Sequence, residues 1–425
     1  MLLRRSAFKF SWNFTNLKTY PPDPILSLNA KCKEDSNPNK VNLTVGAYRD
    51  EFGNPWVPLS VKKAINEIYK NKYDIEYLTL KGDTDFVDLA TNLIYQNSVR
   101  GMELKEQGRI AQLQSLSGTG ALFFLLKFYQ ECINPKALVY VQNPSWPIHN
   151  TLLSNMNLNY KQLFYYDMEN RKFDRKTAKE AHMNVEPKSL VIVQVCGHNP
   201  TGFDLTPEDW KEIIEVYKEK EIDVLVDNPY QGYVSGDIVK DAKSISLFVD
   251  SGLNVMFAQS FAKNFGLYSG RVGCMSMICS TRELAQQVED NLAYFIRNTT
   301  STHPKFGAEI IKRILSCPDH TQLWQQDLKI MANRIMDMRS SLVSELTALG
   351  SKSDWSYIEE QRGMFALTHL KQDSVKRLRD QKSIYMLDSG RVSIAGINPD
   401  NVKYMARSIY AVSYTHLTLP TTPYV

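Results

Sequence analysis

Six short apolar segments in the middle of the chain constrain its fold more than any other feature. They span residues 110–116, 137–141, 190–195, 222–226, 254–258 and 272–278. Each has the length and composition of a buried strand, and stretches with helical spacing lie between most of them. Strands that alternate with helices pair in parallel. The sequence therefore predicts an α/β fold with a largely parallel sheet at its centre.

Further periodic segments lie on either side of this core. Helical spacing covers residues 58–69, 281–298 and 305–350, and strand-like or extended spacing covers residues 41–48, 363–367 and 390–395. The two short strands near the C-terminal end predict a smaller α+β unit beside the main sheet.

Composition excludes several classes of function. The 425 residues carry 50 Lys and Arg against 46 Asp and Glu, and a net charge of +4 is too small to indicate a nucleic-acid partner. No apolar run reaches the ~18 residues of a membrane span. The cysteines are scattered without a C-x-x-C pair, which is typical of reduced thiols. We expect no metal site, nucleic-acid partner or membrane partner.

Residues 1–22 have the composition of a targeting leader. They contain no acidic residue, and Arg4, Arg5 and Lys9 share one side of a helical wheel. A basic, hydroxylated and acid-free N-terminus is typical of a mitochondrial transit peptide. The leader therefore predicts the mitochondrial matrix. The alternative is an ordinary extended arm on a cytoplasmic protein.

The loop that follows the segment 254–258 carries a lysine suited to covalent chemistry. Lys263 lies just past a strand end, where open α/β sheets place ligands. Its own loop contains no nearby acid, so its amine is a candidate for a Schiff base. Ser260 and Arg271 flank it, and a hydroxyl with an arginine fork suits a phosphate monoester. A plain basic surface loop is the alternative that this segment alone leaves open.

Two other strand ends offer groups that suit a phosphorylated ring. Ser117, Gly118 and Thr119 precede a helical stretch, and such a helix start either binds an anion or simply caps the helix. Trp146 lies between two prolines after a strand, where it could stack on a planar ring, although a core position is the commoner fate.

The remaining strand ends carry Asn199, Asp227 and Tyr230. An aspartate there could form a turn, but strand ends are where α/β proteins keep their chemistry. Together with Lys263, these groups predict a site for a phosphorylated aromatic aldehyde. Pyridoxal 5′-phosphate (PLP) fits, since it needs a lysine for its Schiff base and an acid opposite its pyridine nitrogen.

Four motifs, taken in order, resemble those of the class I aminotransferases. They are Ser117-Gly-Thr-Gly-Ala121, His198-Asn-Pro-Thr-Gly202, Ser260-Phe-Ala-Lys263-Asn-Phe-Gly-Leu-Tyr-Ser-Gly-Arg271 and Ser389-Gly-Arg391. The resemblance runs from about Pro21 to about Val412, and it is closest to the aspartate-specific members of mitochondrial type. It implies the PLP-dependent transferase fold type I, with a mostly parallel seven-stranded sheet flanked by helices and a smaller α+β domain.

The same resemblance implies a division of the chain. The expected parts are a leader and N-terminal arm (1–22), a first part of the small domain (23–56), a large PLP-binding domain (57–330), and a second part of the small domain (331–412). Residues 413–425 resemble no C-terminus of the family, and their composition predicts a non-native tail.

For the cofactor, the resemblance implies a role for each motif residue. Lys263 would form the Schiff base, Asp227 would bind the pyridine N–H, and Asn199 and Tyr230 would bind the phenolic oxygen. Trp146 would stack on the ring. Lys263, Asp227 and Tyr230 would form the catalytic set. The phosphate would be held by Ser117, Gly118, Thr119, Ser260 and Arg271, and by Tyr77 of the neighbouring subunit.

For the substrate, the resemblance implies dicarboxylic amino and oxo acids: L-aspartate and 2-oxoglutarate would give oxaloacetate and L-glutamate. Arg391 would bind the α-carboxylate, with Gly46, Asn199 and Trp146 nearby. Arg297 would reach the distal carboxylate from the other subunit. The chain would therefore act as a homodimer with shared sites.

The chain departs from the family at several positions near the site. Gln194 stands where histidine is usual, Gly270 where glutamate is common, and Asn228-Pro229 is unusual. One alternative is an aminotransferase for aromatic or kynurenine-type substrates, which Arg297 disfavours because a cation favours a second carboxylate. The other is a catalytically silent family member, which the intact set of charged groups disfavours.

Overall fold

The computed structural model describes residues 16–70 and 73–414. The strands are β1 (Val41–Asn42), β2 (Ile110–Leu116), β3 (Leu138–Asn143), β4 (Asn159–Phe164), β5 (Leu190–Val193), β6 (Asp223–Asn228), β7 (Val255–Ser260), β8 (Val272–Ile278), β9 (Phe365–Leu367), β10 (Ile384–Tyr385) and β11 (Arg391–Ser393).

The α-helices connect and cover these strands. They are α1 (Pro24–Glu34), α2 (Leu59–Lys70), α3 (Thr84–Tyr95), α4 (Val99–Glu106), α5 (Ser117–Phe128), α6 (Pro147–Asn155), α7 (Arg175–Met183), α8 (Pro207–Glu219), α9 (Ile238–Asp241), α10 (Lys243–Asp250), α11 (Arg282–Arg297), α12 (Lys305–Ser316), α13 (Pro318–Ala348), α14 (Tyr357–Glu360), α15 (Gln372–Lys382) and α16 (Val402–Tyr414).

The central sheet has seven strands in the order β2-β8-β7-β6-β5-β3-β4. The strands from β7 to β4 pair in parallel, whereas β8 runs antiparallel to both β7 and β2. Strand β2 therefore points the same way as the parallel strands, and the carboxyl ends of all strands except β8 lie at one edge. The mostly parallel α/β sheet expected from the sequence is confirmed.

Apart from the edge strand β4, both faces of the sheet are largely buried, which explains why most of its strands are mainly apolar. In β6, Leu225 packs in a core with α5 and α11, whereas Val224 and Val226 pack in a second core with α8 and α10. The side chains of β6 thus alternate between two helical layers. The sheet is therefore the middle layer of three.

A smaller unit surrounds α13, α15 and α16, with β1 paired to β10 and β9 paired to β11. Of the strand or extended segment predicted at 41–48, only Val41–Asn42 form a strand. The Asn42 side-chain oxygen accepts hydrogen bonds from the Thr44 N–H (3.1 Å) and hydroxyl (2.7 Å), which turns the chain after Leu43. The loop that follows reaches the carboxyl edge of the main sheet.

Two further features differ from the sequence expectations. The helical pattern at 305–350 is two helices, because Pro318 cannot continue α12 and instead takes the first turn of α13. Strand β4 was not predicted, because it lies at the sheet edge and most of its side chains are exposed and polar.

The chain ends lie partly outside the described residues. Of the predicted leader, residues 16–22 form an exposed segment before α1, whose N-cap is Asp23, and residues 1–15 are outside. The predicted domain boundary at 330/331 lies inside α13 and remains a prediction. Of the predicted tail, 413–414 belong to α16 and the rest is outside. Within residues 16–70 and 73–414, no helix is long and apolar enough to span a membrane.

Strand β8 can pass close to the start of α5 only because it has a glycine at 273. A Cβ there would lie 2.5 Å from the Gln259 carbonyl oxygen and 2.6 Å from the Ser117 carbonyl carbon. We expect Gly273→Ala to lower the free energy of unfolding by about 1–3 kcal/mol, because the backbone must shift. Thermal unfolding measures this.

The matched control is Gly270→Ala, where the nearest atoms lie 3.5 Å from the added Cβ. That variant should stay within about 0.5 kcal/mol of the wild type. Equal melting temperatures for the two variants would contradict the proposed packing.

Candidate active site

A cavity of ≈ 200 Å³ opens at the carboxyl edge of the sheet. The predicted site residues that line it are Gly46, Ser117, Gly118, Thr119, Trp146, Asn199, Asp227, Tyr230, Ser260, Lys263, Arg271 and Arg391. Tyr77 and Arg297 lie elsewhere. The fold therefore brings together side chains from five strand ends and from the smaller unit, which are far apart in sequence.

Lys263 lies in the turn after β7 and projects into this cavity. Its Nζ is 5.5 Å from the centroid of the Tyr230 ring. The pKa of the amine is lowered to about 8, mainly by burial; the Asp227 charge opposes this lowering, and the Arg271 charge adds a smaller lowering. More of the neutral, nucleophilic amine is present near neutral pH than for an exposed lysine.

Asp227 is held at the end of β6 through one of its two carboxylate oxygens. Its Oδ2 accepts hydrogen bonds from Gln194 Nε2 (2.7 Å) and from His149 Nε2 (3.0 Å). The other nitrogen of His149 lies 2.8 Å from the Ser145 hydroxyl, which fixes the ring. No donor among the described residues bonds to Oδ1 of Asp227. That oxygen is free to accept a hydrogen bond from a ligand N–H.

Tyr230 is buried three residues beyond Asp227. Burial, with a smaller contribution from Asp227, raises the pKa of the phenol well above its usual range. The hydroxyl thus stays neutral and can donate a hydrogen bond at physiological pH. Asn228, between the two, donates to Gln231 Oε1 (2.9 Å), and Pro229 lines the cavity.

Asn199 carries a buried side-chain oxygen with no hydrogen-bond partner among the described residues. Its backbone N–H donates to Gln194 Oε1 (2.9 Å). The Asp204 carboxylate also stabilises this loop, because it accepts hydrogen bonds from the N–H groups of Gly197 (2.8 Å) and His198 (2.9 Å). A buried, unpaired amide oxygen at a cavity wall favours a polar ligand there.

The start of α5 and the β7 turn form an anion pocket. The hydroxyls of Ser117 and Ser260 lie 3.0 Å apart. At Gly118 a Cβ would come within 3.1 Å of the Ser260 side chain, so only a small residue leaves this close approach open. Arg271 donates to the Tyr268 carbonyl (3.1 Å) and makes no ion pair with an acid of the described residues. A helix N-terminus, two hydroxyls and an unpaired guanidinium suit a phosphate.

Arg391, on β11, is a buried cation without a carboxylate partner. Its side chain is 3% exposed, and its guanidinium lies 4.3 Å from the centroid of the Phe365 ring. One nitrogen donates to the Thr44 carbonyl (2.6 Å), whereas Nε has no partner among the described residues. Burial lowers its pKa to about 10. A buried, unpaired charge is costly, and a bound carboxylate would complement it.

Two predicted residues complete the walls of the cavity. Trp146 precedes α6 and packs edge-to-face on His149, with ring centroids 5.7 Å apart. Gly46 lies against Phe365, where a Cβ would come within 2.6 Å of the ring. Any larger residue at 46 would push against the side chain that stacks on Arg391.

Tyr77 and Arg297 lie on the protein surface, outside the cavity of their own chain. The Tyr77 side chain is 84% exposed. Arg297 ends α11, where it donates to the Ser301 hydroxyl (2.8 Å). The loop that follows Arg297 contacts the segment that carries Tyr77, because the Thr302 hydroxyl donates to the Leu78 carbonyl (3.0 Å). The two exposed residues thus lie on segments that contact each other.

The cavity also contains residues that were not among the predicted site residues: Ile25, Gln194, Pro229 and Phe365. Gln194 and Pro229 were noted only as departures from the family. Nothing in the sequence marked Ile25 or Phe365, because both reach the cavity through long-range packing. No group of three acidic, His or Cys side chains in the described parts of the chain could hold a metal.

The geometry fits the predicted PLP. The free Oδ1 of Asp227 suits a pyridine N–H, and the pocket at Ser117 suits a phosphate. The unpaired oxygen of Asn199 adds a polar contact, and Lys263 lies in the same cavity with a lowered pKa.

Comparison with known proteins agrees with this fit. The family described as Aminotransferase class I and II matches residues 38–409. The mitochondrial aspartate aminotransferase of Dictyostelium discoideum is 39% identical over 411 residues, covering 97% of this chain and 95% of that protein.

Solved structures agree as well. The cytoplasmic aspartate aminotransferase of Saccharomyces cerevisiae is 35% identical, with a TM-score of 0.89 and coverage of 94% of this chain and 98% of that chain. An aromatic-amino-acid aminotransferase of Burkholderia pseudomallei, covalently bound to pyridoxal phosphate, is 34% identical, with a TM-score of 0.89 and coverage of 94% and 99%. The chain belongs to the class I and II aminotransferases.

Proposed function

We propose that this protein is a PLP-dependent aspartate aminotransferase, which converts L-aspartate and 2-oxoglutarate into oxaloacetate and L-glutamate. One observation carries the proposal: the buried, unpaired guanidinium of Arg391 shares a cavity with Lys263, whose pKa is lowered. That pair suits an amino acid whose carboxylate binds the arginine. The aspartate aminotransferases of D. discoideum and S. cerevisiae support the same conclusion.

The predicted site residues of the cavity have physical roles in this proposal. When bound, PLP supplies an aldehyde and an electron-accepting ring. Asp227 would keep the ring nitrogen protonated, Asn199 and Tyr230 would bind the phenolic oxygen, and Trp146 would stack on the ring. Lys263 would hold the cofactor, and its free amine would take the proton from the substrate Cα.

Anion recognition is divided between two parts of the cavity. The phosphate is held by Ser117, Gly118, Thr119, Ser260 and Arg271. Arg391 binds the substrate α-carboxylate as a bidentate partner, beside Gly46. The two anions thus meet different cations, which orients cofactor and substrate relative to each other.

The protein is further proposed to be a homodimer with shared sites. Tyr77 and Arg297 do not line the cavity of their own chain, and Ile75 and Tyr294, close to them in sequence, are exposed apolar residues. In a two-fold dimer, a partner would bury these exposed residues and receive Tyr77 and Arg297 at its cavity. Arg297 would bind the distal carboxylate of the dicarboxylic substrate, and Tyr77 the phosphate.

A second candidate is preference for aromatic amino acids, which the B. pseudomallei neighbour suggests. Arg297 favours the first proposal, since a guanidinium pairs with a second carboxylate rather than with a ring.

The mitochondrial matrix is the proposed location, supported by the basic leader and by the mitochondrial relative in D. discoideum. The cytoplasmic neighbour from yeast makes the cytoplasm the alternative. Imaging of full-length protein tagged at its C-terminus distinguishes them, and cytosolic staining would refute the matrix.

The lowered pKa of Lys263 predicts how cofactor-free protein captures PLP. Only the neutral amine attacks an aldehyde. The rate of PLP capture should therefore rise with pH and reach half of its maximum at about pH 8. Borohydride reduction followed by peptide mapping measures it. Lys263→Ala should capture none at this site. A midpoint at about pH 10 or above would contradict the role of Lys263 as the Schiff-base lysine. So would reduced PLP found only on other lysines.

Arg297→Ala tests the substrate. We expect kcat/KM for aspartate to fall about 100-fold or more, because a charged hydrogen-bonded pair is lost, while kcat/KM for phenylalanine changes little. Arg282→Ala, at the exposed start of the same helix, is the matched control. Equal decreases in kcat/KM for aspartate and phenylalanine would mean that Arg297 does not bind the distal carboxylate.

Mixed dimers test the shared site. Lys263→Ala and Arg297→Ala proteins should each be inactive on aspartate, but after subunit exchange one site of each heterodimer is wild type. About a quarter of wild-type activity should return, since half of the dimers are mixed and half of their sites are intact. If exchange is demonstrated by mass and no activity returns, each site is built within one chain.

A further inference from the structure

Gln194 is the buried side chain through which two walls of the cavity are joined. It follows β5 directly, and it is 1% exposed. Its backbone N–H donates to Gln142 Oε1 (2.9 Å), which fixes the position of its own main chain. Four cavity residues are not among the predicted site residues. Of these four, Gln194 is the one whose side chain forms hydrogen bonds with two predicted site residues.

The two ends of the Gln194 amide bind different partners. Nε2 donates to Asp227 Oδ2 (2.7 Å), and Oε1 accepts from the Asn199 backbone N–H (2.9 Å). A backbone N–H can only donate, and an ionised carboxylate can only accept. Both partners therefore require the same orientation of the amide, and a flipped amide would lose both bonds.

These bonds determine which atoms face the cavity. Gln194 and His149 both occupy Oδ2 of Asp227, so Oδ1 is left for a ligand. The bond to the Asn199 N–H holds the loop whose side-chain oxygen is buried and unpaired. A shift of the amide would move the Asp227 carboxylate and the Asn199 loop together.

We propose that Gln194 is a positioning residue for PLP, which couples Asp227 to Asn199 through an amide that does not change its protonation with pH. This inference rests on the proposed function. It adds to the proposed site a positioning residue that would contact neither the cofactor phosphate nor the substrate carboxylate. The titratable groups around it are Asp227, His149 behind that carboxylate, His182 beyond Gln142, and His198, which precedes Asn199 and interacts electrostatically with both other histidines.

A histidine at this position could not do the same at every pH. A neutral imidazole offers one donor and one acceptor, so it can serve both partners in principle. A protonated imidazole has two donors and no acceptor, and it would lose the bond from the Asn199 N–H. Glutamine retains one donor and one acceptor throughout.

The test compares the binding of PLP to cofactor-free wild type, Gln194→Leu and Gln194→His between about pH 5.5 and about pH 9. Gln259→Leu is the matched control, because Gln259 is also buried in the sheet but donates to the Ala90 carbonyl, away from the cavity. Dissociation constants come from quenching of intrinsic fluorescence, and circular dichroism verifies folding.

We expect Gln194→Leu to weaken PLP binding about tenfold to 100-fold at every pH, since hydrogen bonds to a charged group and to a backbone N–H are lost. Gln194→His should bind nearly as tightly as wild type at the alkaline end and lose affinity on acidification beyond any loss seen in wild type. Gln259→Leu should match wild type.

Wild-type affinity for Gln194→Leu across the pH range would overturn the inference. So would a Gln194→His protein whose pH dependence parallels wild type, and this variant keeps the test valid if Gln194→Leu does not fold. A wild type that never captures PLP at Lys263 would instead contradict the proposed function itself.

Discussion

The parallel register of β5, β6 and β7 is the constraint on which the site depends. Val193 pairs with Val226, and Asp227 pairs with Ala258. This pairing sets Gln194 beside Asp227 and brings Lys263, in the following turn, to the same edge. A slip of one residue between β5 and β6 would turn the Asp227 side chain to the opposite face. The two apolar cores that cover the sheet disfavour such a slip, because the buried side chains of the shifted strand would exchange faces.

The buried cations of the cavity favour the binding of anionic ligands over the stability of the ligand-free protein. Arg391 is buried without a carboxylate, and the amine of Lys263 has lost part of its affinity for a proton. Each arrangement disfavours the ligand-free protein, since buried cations lose hydration. A phosphate and a carboxylate restore the lost interactions. The same desolvation that destabilises these cations makes the lysine a better nucleophile and the arginine a stronger carboxylate ligand.

Sequence reasoning found the groups at strand ends and missed those that depend on pairing. Lys263 and Asp227 were predictable, because apolar strands followed by polar loops identify the carboxyl edge of a parallel sheet. Arg391 and Gly46 came only from the family resemblance, since they reach the cavity from the smaller unit. The role of Gln194 depends on a strand register between residues 33 positions apart, which no local pattern encodes. Strand β4 was missed because an exposed edge strand need not be apolar.

The central claim is that these residues form one aminotransferase site, and a single half-reaction tests it most directly. PLP-loaded protein is mixed with L-aspartate alone, and oxaloacetate is quantified together with the visible absorbance of the bound cofactor. We expect about one oxaloacetate per subunit with loss of the original absorbance, because the amino group stays on the enzyme until an oxo acid removes it. Addition of 2-oxoglutarate should restore the absorbance and release glutamate. Protein that holds PLP on Lys263 but yields no oxaloacetate would contradict the account.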